Sequence, residues 1–329
     1  MRLAEIIGHG EIVRALRRAV EQDRVSHAYL FAGPDGVGKT TTALAFGAAL
    51  LCRYPGSGDA CGKCRDCRQV AGQNHPDLHR IAPDGASIKI GQVREMLHRI
   101  ALSPYQGQRQ IFLVEQADMM TGEAANCLLK TLEEPPAGTV IILISGRPQA
   151  LLPTILSRCQ IFTFHPLPAG QVVSILQKEM AASRGELELL ARLTGGCPGR
   201  AVRLAGVDGG YSAFRQRVVD LAAGLGRASF TEACRQAALL AEDKELALAC
   251  LEFFLLWYRD LLVWKETGAG GLLFNQDYLS LVEREARFYS STRLLAMIRE
   301  IEKTRDSLMA NVNTRLALEV LFMRLAGAA

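Results

Sequence analysis

The stretch Gly33-Pro34-Asp35-Gly36-Val37-Gly38-Lys39-Thr40 decides how this chain is read. It follows the apolar run Ala28-Tyr29-Leu30-Phe31-Ala32 and opens onto a helical run, Thr41 to Leu51. Strand, glycine-rich loop and helix in that order, with G-x-x-x-x-G-K-[ST] in the loop, turn successive backbone N–H groups inward around a phosphate. Gly33, Pro34, Gly36 and Gly38 shape the cradle, and Lys39 is expected to reach the β- and γ-phosphates of ATP or ADP. Thr40 is set to hold Mg²⁺, with Thr41 beside it at the head of the helix. The bland reading, a glycine turn next to a lysine, leaves the flanking strand and helix unexplained.

At 329 residues the chain has room for two or three domains and is too long for one ordinary core. Its apolar and charged fractions, 49% and 22%, exclude a disordered chain. No apolar run reaches the length of a membrane span, and Met1 to Gly10 lacks the basic-then-apolar order of a signal peptide. A cytosolic protein without membrane contact is expected. The formal charge of +4 permits contact with nucleic acid but does not argue for it.

Of nine cysteines, Cys52, Cys61, Cys64 and Cys67 form C-x₈-C-x₂-C-x₂-C at the end of the phosphate-loop helix. Two overlapping C-x₂-C pairs and a fourth thiolate make a closed tetrahedron, the arrangement of structural zinc. An iron–sulfur cluster competes for the same ligands, although no redox partner motif accompanies it. Lys63, Arg65 and Arg68 would offset part of the thiolate charge, and Pro55-Gly56-Ser57-Gly58 reads as the spacer of an inserted surface knob over 52–67. Cys127, Cys159, Cys197, Cys234 and Cys250 read as small core residues.

Outward from the loop, Met1 to Arg24 reads as an amphipathic helix with Ile12, Val13, Leu16 and Val20 inward. His27, just before the first strand, reads as structural. Asp77 to Ile81 predicts a strand and Ile90 to Ala101 a helix. Ile111-Phe112-Leu113-Val114 predicts a strand buried on both faces of a parallel sheet. Where active NTPases of this type end that strand in Asp-Glu, this chain has Glu115-Gln116. Glu115 can still serve Mg²⁺, whereas a glutamine amide cannot accept a proton from water. Nucleotide binding with slow or absent turnover is therefore expected, unless a nearby acid such as Asp118 replaces Gln116. Gly122 to Glu134 predicts a helix stopped by Pro135-Pro136, and Val140 to Ile144 another buried strand ending at Ser145-Gly146. Arg158 closes the apolar turn Leu151 to Cys159; alone, it reads as a cap on the helix macrodipole.

His27 to Phe31, the phosphate loop, the four cysteines, Leu128-Leu129-Lys130-Thr131-Leu132-Glu133-Glu134-Pro135-Pro136 and Ser157-Arg158-Cys159 together resemble the bacterial clamp-loader ATPase family. The resemblance implies an α/β AAA+ P-loop module with a parallel sheet over 1–166, a small helical lid over 167–207 and an all-α collar over 208–329. It implies a pentameric ring with the delta subunit and the gamma/tau motor. Through that ring it implies a sliding clamp and primer-template DNA, within a DNA-directed DNA polymerase holoenzyme. Arg158 matches the arginine that reaches in trans to a neighbour's γ-phosphate. Arg200, in Thr194-Gly195-Gly196-Cys197-Pro198-Gly199-Arg200-Ala201, matches a nucleotide-sensing arginine. Ser145-Gly146 departs from the threonine or asparagine of the first sensor.

Gly206 to Gly210 reads as a linker to a wholly helical last region, broken at Gly268-Ala269-Gly270-Gly271, and Asn311 to Glu319 looks like that family's closing collar helix. Phe254, Trp257, Tyr258 and Trp264 read as helix–helix core rather than base-stacking groups. A stator subunit that lends Arg158 to a motor leads; an active ATP-hydrolysing motor is the alternative. An unrelated P-loop helicase or recombination ATPase explains neither the cysteine insert nor Ser157-Arg158-Cys159.

Overall fold

Three strands built on apolar runs make the centre of a sheet. In the computed structural model, which describes residues 1–180, 182, 184–205, 210–310 and 312–326, they are β1 (Ala28–Ala32), β3 (Gln110–Val114) and β4 (Thr139–Ser145), and every residue in them is buried. With β2 (Leu78–Ile81) and β5 (Gln160–Thr163) they pair in the order β2-β3-β4-β1-β5, each pair parallel. Alternate side chains enter two cores. Tyr29, Phe31, Ile111, Leu113, Ile142 and Ile144 meet α1 (Gly10–Glu21), α2 (Lys39–Leu51) and α3 (Arg65–Ala71) on one face. Leu30, Phe112, Val114, Ile141 and Leu143 meet α4 (Ile90–Ile100), α5 (Gly122–Glu133) and α6 (Pro153–Leu156) on the other. Strands buried on both faces need no polar alternation, which is why these runs are continuously apolar.

The expected helix from Met1 begins only at Gly10. Leu3–Glu5 is a short 3₁₀ turn, and Gly8 and His9 take left-handed backbone with φ of 79° and 52°. The cysteine insert is also less of a knob than its glycines imply. Asp59 within it is buried and accepts the backbone N–H groups of Leu3 (2.9 Å) and Ala4 (2.8 Å), satisfying donors that the 3₁₀ turn leaves open. Gly58, at φ 71°, lies where a Cβ would come 2.1 Å from the Arg17 carbonyl oxygen of α1. Gly58→Ala is therefore expected to destabilise the protein by about 2 kcal/mol, from strained φ and the backbone clash together. Thermal melting checks this.

The chain divides into two compact units, Met1–Arg200 and Ala201–Ala329. After β5 come α7 (Ala169–Glu179), α8 (Arg184–Leu193) and α9 (Pro198–Ala205). The second unit continues with α10 (Gly210–Leu225), α11 (Phe230–Leu240), α12 (Lys244–Thr267), α13 (Leu279–Ala286), α14 (Ser291–Met309) and α15 (Thr314–Ala326). Helix α12 packs against α10, α13 and α14, and α15 against α11 and α14. Phe254, Trp257 and Tyr258 are fully buried, so they are core residues as expected, while Trp264 is partly exposed. Buried Asp260 ties α12 to the following loop, accepting from Phe274 N (3.0 Å), Asn275 N (2.8 Å) and Arg259 (2.9 Å). Four residues of the expected linker (206–209), the boundary expected at 207/208 and Asn311 lie outside the described residues. Among the described residues no helix is long and apolar enough to cross a membrane.

Candidate nucleotide cradle, cysteine cluster and surface arginine

Strand β1 runs straight into the phosphate loop, where the Gly33 N–H donates to the Ser145 carbonyl (3.2 Å) at the end of β4. Lys39, only 4% exposed, folds its ammonium onto the carbonyls of Gly33 (2.5 Å) and Pro34 (2.8 Å), with the Asp35 carboxylate at 3.6 Å. These carbonyl oxygens stand in for the phosphate oxygens such a lysine binds. Burial pushes the ammonium below its ordinary value, and the carboxylates of Asp35 and Asp118 oppose that shift.

Two further segments meet the loop. The Gly199 N–H, in the first turn of α9, donates to the Gly36 carbonyl (2.8 Å). A Cβ on Gly36 would lie 2.7 Å from the Arg200 backbone nitrogen, and its φ of 78° also favours glycine. Arg200 thus stands at the phosphate loop, where its sequence context puts a nucleotide sensor. His9 is unanticipated: its Nε2–H donates to the Val37 carbonyl (3.1 Å), and its ring packs edge-on against Phe164 at 4.7 Å. The glycines on either side of it, Gly8 and Gly10, are the local sequence signal of a turn there.

The carboxylates at the exit of β3 are arranged less simply than expected. Glu115 is ion-paired with Arg80 of β2 at 2.6 Å. Gln116 turns into left-handed backbone (φ 49°, ψ 48°) and is exposed. Asp118, in the 3₁₀ turn Ala117–Met119, has a nearly buried side chain. Its Oδ1 accepts from the Ser145 hydroxyl (2.8 Å) and the Gly146 N–H (3.1 Å), and its Oδ2 from Arg147 Nε (3.3 Å). The acid that would have to replace Gln116 as a base is thus committed to three donors. It ties the exit of β3 to that of β4.

Arg158 lies between α6 and β5. Because β5 runs parallel to β1, with Gln160 beside Tyr29 and Thr163 beside Ala32, Arg158 sits at the N-terminal edge of the sheet. The phosphate loop follows β1 at the C-terminal edge, about 17 Å away by the rise of a five-residue strand. Arg158 is therefore at the wrong end of the sheet to touch a nucleotide in its own chain's loop. His27 is structural, as expected: its Nε2–H donates to the Leu132 carbonyl (3.0 Å) at the end of α5.

The four expected cysteines come together. All four Sγ atoms lie within 4.8 Å of one another, with Cys52 to Cys64 at 4.0 Å and Cys61 to Cys67 at 3.9 Å. Four thiolates about 2.3 Å from a central ion have tetrahedral edges of about 3.8 Å, so the donor set fits one four-coordinate ion. The spacing is too tight to wrap a multinuclear cluster. The backbone N–H groups of Cys61, Cys64 and Cys67 each donate to the preceding cysteine's sulfur at 3.3 Å, the arrangement that supports thiolate. Backbone N–H groups of Lys63 and Cys64 hold the Cys61 thiol down to about 6, while burial raises Cys52 and Cys67. A bound cation would draw off all four protons. Of the remaining cysteines, Cys197 and Cys250 are core residues, and Cys127, Cys159 and Cys234 are partly exposed.

A parallel sheet in this order, with a phosphate loop after β1, Arg200 at that loop and a wholly helical region later in the chain, defines a P-loop protein of the AAA+ class. Comparison with known proteins narrows this. A family model described as "DNA polymerase III, delta subunit" matches residues 8–168, and one described as "DNA polymerase III, delta subunit, C terminal" matches residues 225–327. The chain is 33% identical over 318 residues to the DNA polymerase III subunit delta' of Bacillus subtilis, covering 95% of each chain. It is 31% identical to the subunit delta' of Escherichia coli, over 92% of this chain and 89% of that one. To the subunit tau of Bacillus subtilis it is 25% identical, over 98% of this chain and 61% of that one. The chain belongs to the family of DNA polymerase III delta' subunits.

Proposed function

We propose that this chain is a clamp-loader subunit of the DNA polymerase III holoenzyme and serves there as a stator rather than as a motor. In this reading residues 1–166 are the AAA+ module, 167–207 its lid and 208–329 a collar that joins delta and the gamma/tau motor in a five-membered ring. The ring opens a sliding clamp and loads it on primer-template DNA. Arg158 is the arginine this chain lends: its planar, permanently charged guanidinium stabilises the charge that spreads over a neighbour's γ-phosphoryl oxygens as the bond breaks.

The observation that carries the reading is the separation of Arg158 from the chain's own phosphate loop by the length of the sheet. An arginine at the edge opposite its own cradle acts on another subunit's nucleotide or on none. The intact loop, with Lys39 and Thr40, favours nucleotide binding here and stands on the side of the motor alternative. Against that alternative stand exposed Gln116 and the three donors on Asp118, which leave neither side chain as a free base for water. Gly33, Pro34, Gly36, Gly38, Lys39, Thr40, Thr41 and Arg200 would then hold ATP or ADP with Mg²⁺ without cleaving it. Glu115 would serve the metal while its Oε1 is held by Arg80. The ion of the cysteine cluster is proposed to be structural Zn²⁺, since four thiolates leave no open position. ATP turnover by a reconstituted loader carrying Arg158→Ala tests the function.

A further inference from the structure

Arg158 does not stand free. Its Nη1 donates to the Thr154 carbonyl (2.8 Å) and the Ser157 hydroxyl (3.2 Å), and its Nη2 to the Glu133 carboxylate (2.5 Å). A guanidinium has five N–H donors, so three are held within the chain and two remain, enough for one bidentate grip on phosphoryl oxygens.

The acceptors that hold it are themselves fixed. Glu133 is the last residue of α5, and that helix end is pinned by the His27 hydrogen bond to the Leu132 carbonyl, by fully buried Leu128 and Leu132 behind it, and by Pro135-Pro136 just beyond. Thr154 belongs to α6, whose neighbouring residue Ile155 is fully buried. The guanidinium therefore bridges two anchored helix ends while its side chain stays 32% exposed. A cation at the C-terminal end of α5 is also favoured by the helix macrodipole. A half-exposed pair of this kind adds little to stability, so its effect lies in orientation rather than in holding the fold together.

We propose that Glu133 is a positioning residue for Arg158. Its carboxylate fixes the rotamer of a long side chain so that the two remaining donors are presented outward as a preset fork. This inference rests on the reading of Arg158 as an arginine acting in trans.

The test uses the reconstituted loader, with Glu133→Ala, Glu133→Gln and Glu133→Asp in this chain, alone and combined with Arg158→Ala. Glu133→Ala is expected to lower kcat for ATP by about threefold to tenfold with KM for ATP unchanged, as loss of orientation predicts. Glu133→Asp recovers part of that rate, Glu133→Gln less, and Glu133→Ala adds no further loss on top of Arg158→Ala. The melting temperature of each variant should match that of the parent, which separates positioning from a structural defect. Unchanged or faster turnover in Glu133→Ala, with Arg158→Ala still impaired, overturns the positioning role and leaves the trans reading standing. Unchanged turnover in Arg158→Ala removes the trans reading and this inference with it.

Discussion

Arg158→Ala is expected to slow ATP hydrolysis by the reconstituted loader several-fold or more, while nucleotide affinity of this chain stays unchanged. An arginine supplied to a phosphoryl-transfer site is worth on the order of 10³ to 10⁵ in rate at the site it serves. In the proposed ring the other sites would keep running, so the loss seen in total turnover is smaller unless the steps are coupled. The effect should fall on kcat rather than on KM, because charge on the equatorial oxygens grows only in the transition state. Arg158→Lys keeps the charge but loses the planar fork, so it should restore only part of the rate. Loader turnover equal to that of the parent would remove Arg158 from the mechanism.

The second large effect is expected at the cysteines. Purified protein should carry about one zinc per chain, and Cys64→Ser or strong chelation should remove it. The loss is not confined to the insert. Cys52 ends α2, the helix that begins at the phosphate loop; Cys64 caps α3; and Asp59, between them, holds the first turn of the chain through Leu3 and Ala4. Releasing the ion frees all three anchors, for which about 3 kcal/mol and a fall in Tm of about 10 °C is a reasonable scale. Metal analysis with thermal melting checks it. Iron in place of zinc, or metal-free protein with an unchanged Tm, would contradict the assignment.

What could be read from the sequence follows from what the sequence encodes locally. Strands β1, β3 and β4 were legible because residues buried on both faces leave continuous apolar runs, and the phosphate loop because its glycines and lysine are adjacent. The four cysteines were legible because their spacing alone closes a tetrahedron. Contacts made across the fold were not. Asp59 reaches Leu3 and Ala4 from more than fifty positions away, and Glu115 finds Arg80 across the β2–β3 pair. Asp118 reads as a spare carboxylate until β4 brings Ser145 and Gly146 to it. The start of α1 was not legible because the helical period of Ile12, Val13, Leu16 and Val20 carries no mark of where it begins; Gly8 and His9 stop it with left-handed backbone.

The most direct measurement is steady-state ATP hydrolysis by the purified chain with no other subunit present. A cradle that has lost the group that readies water gives turnover at background, rising when Gln116→Glu restores a carboxylate there. Brisk hydrolysis by the unmodified chain on its own would contradict the stator role.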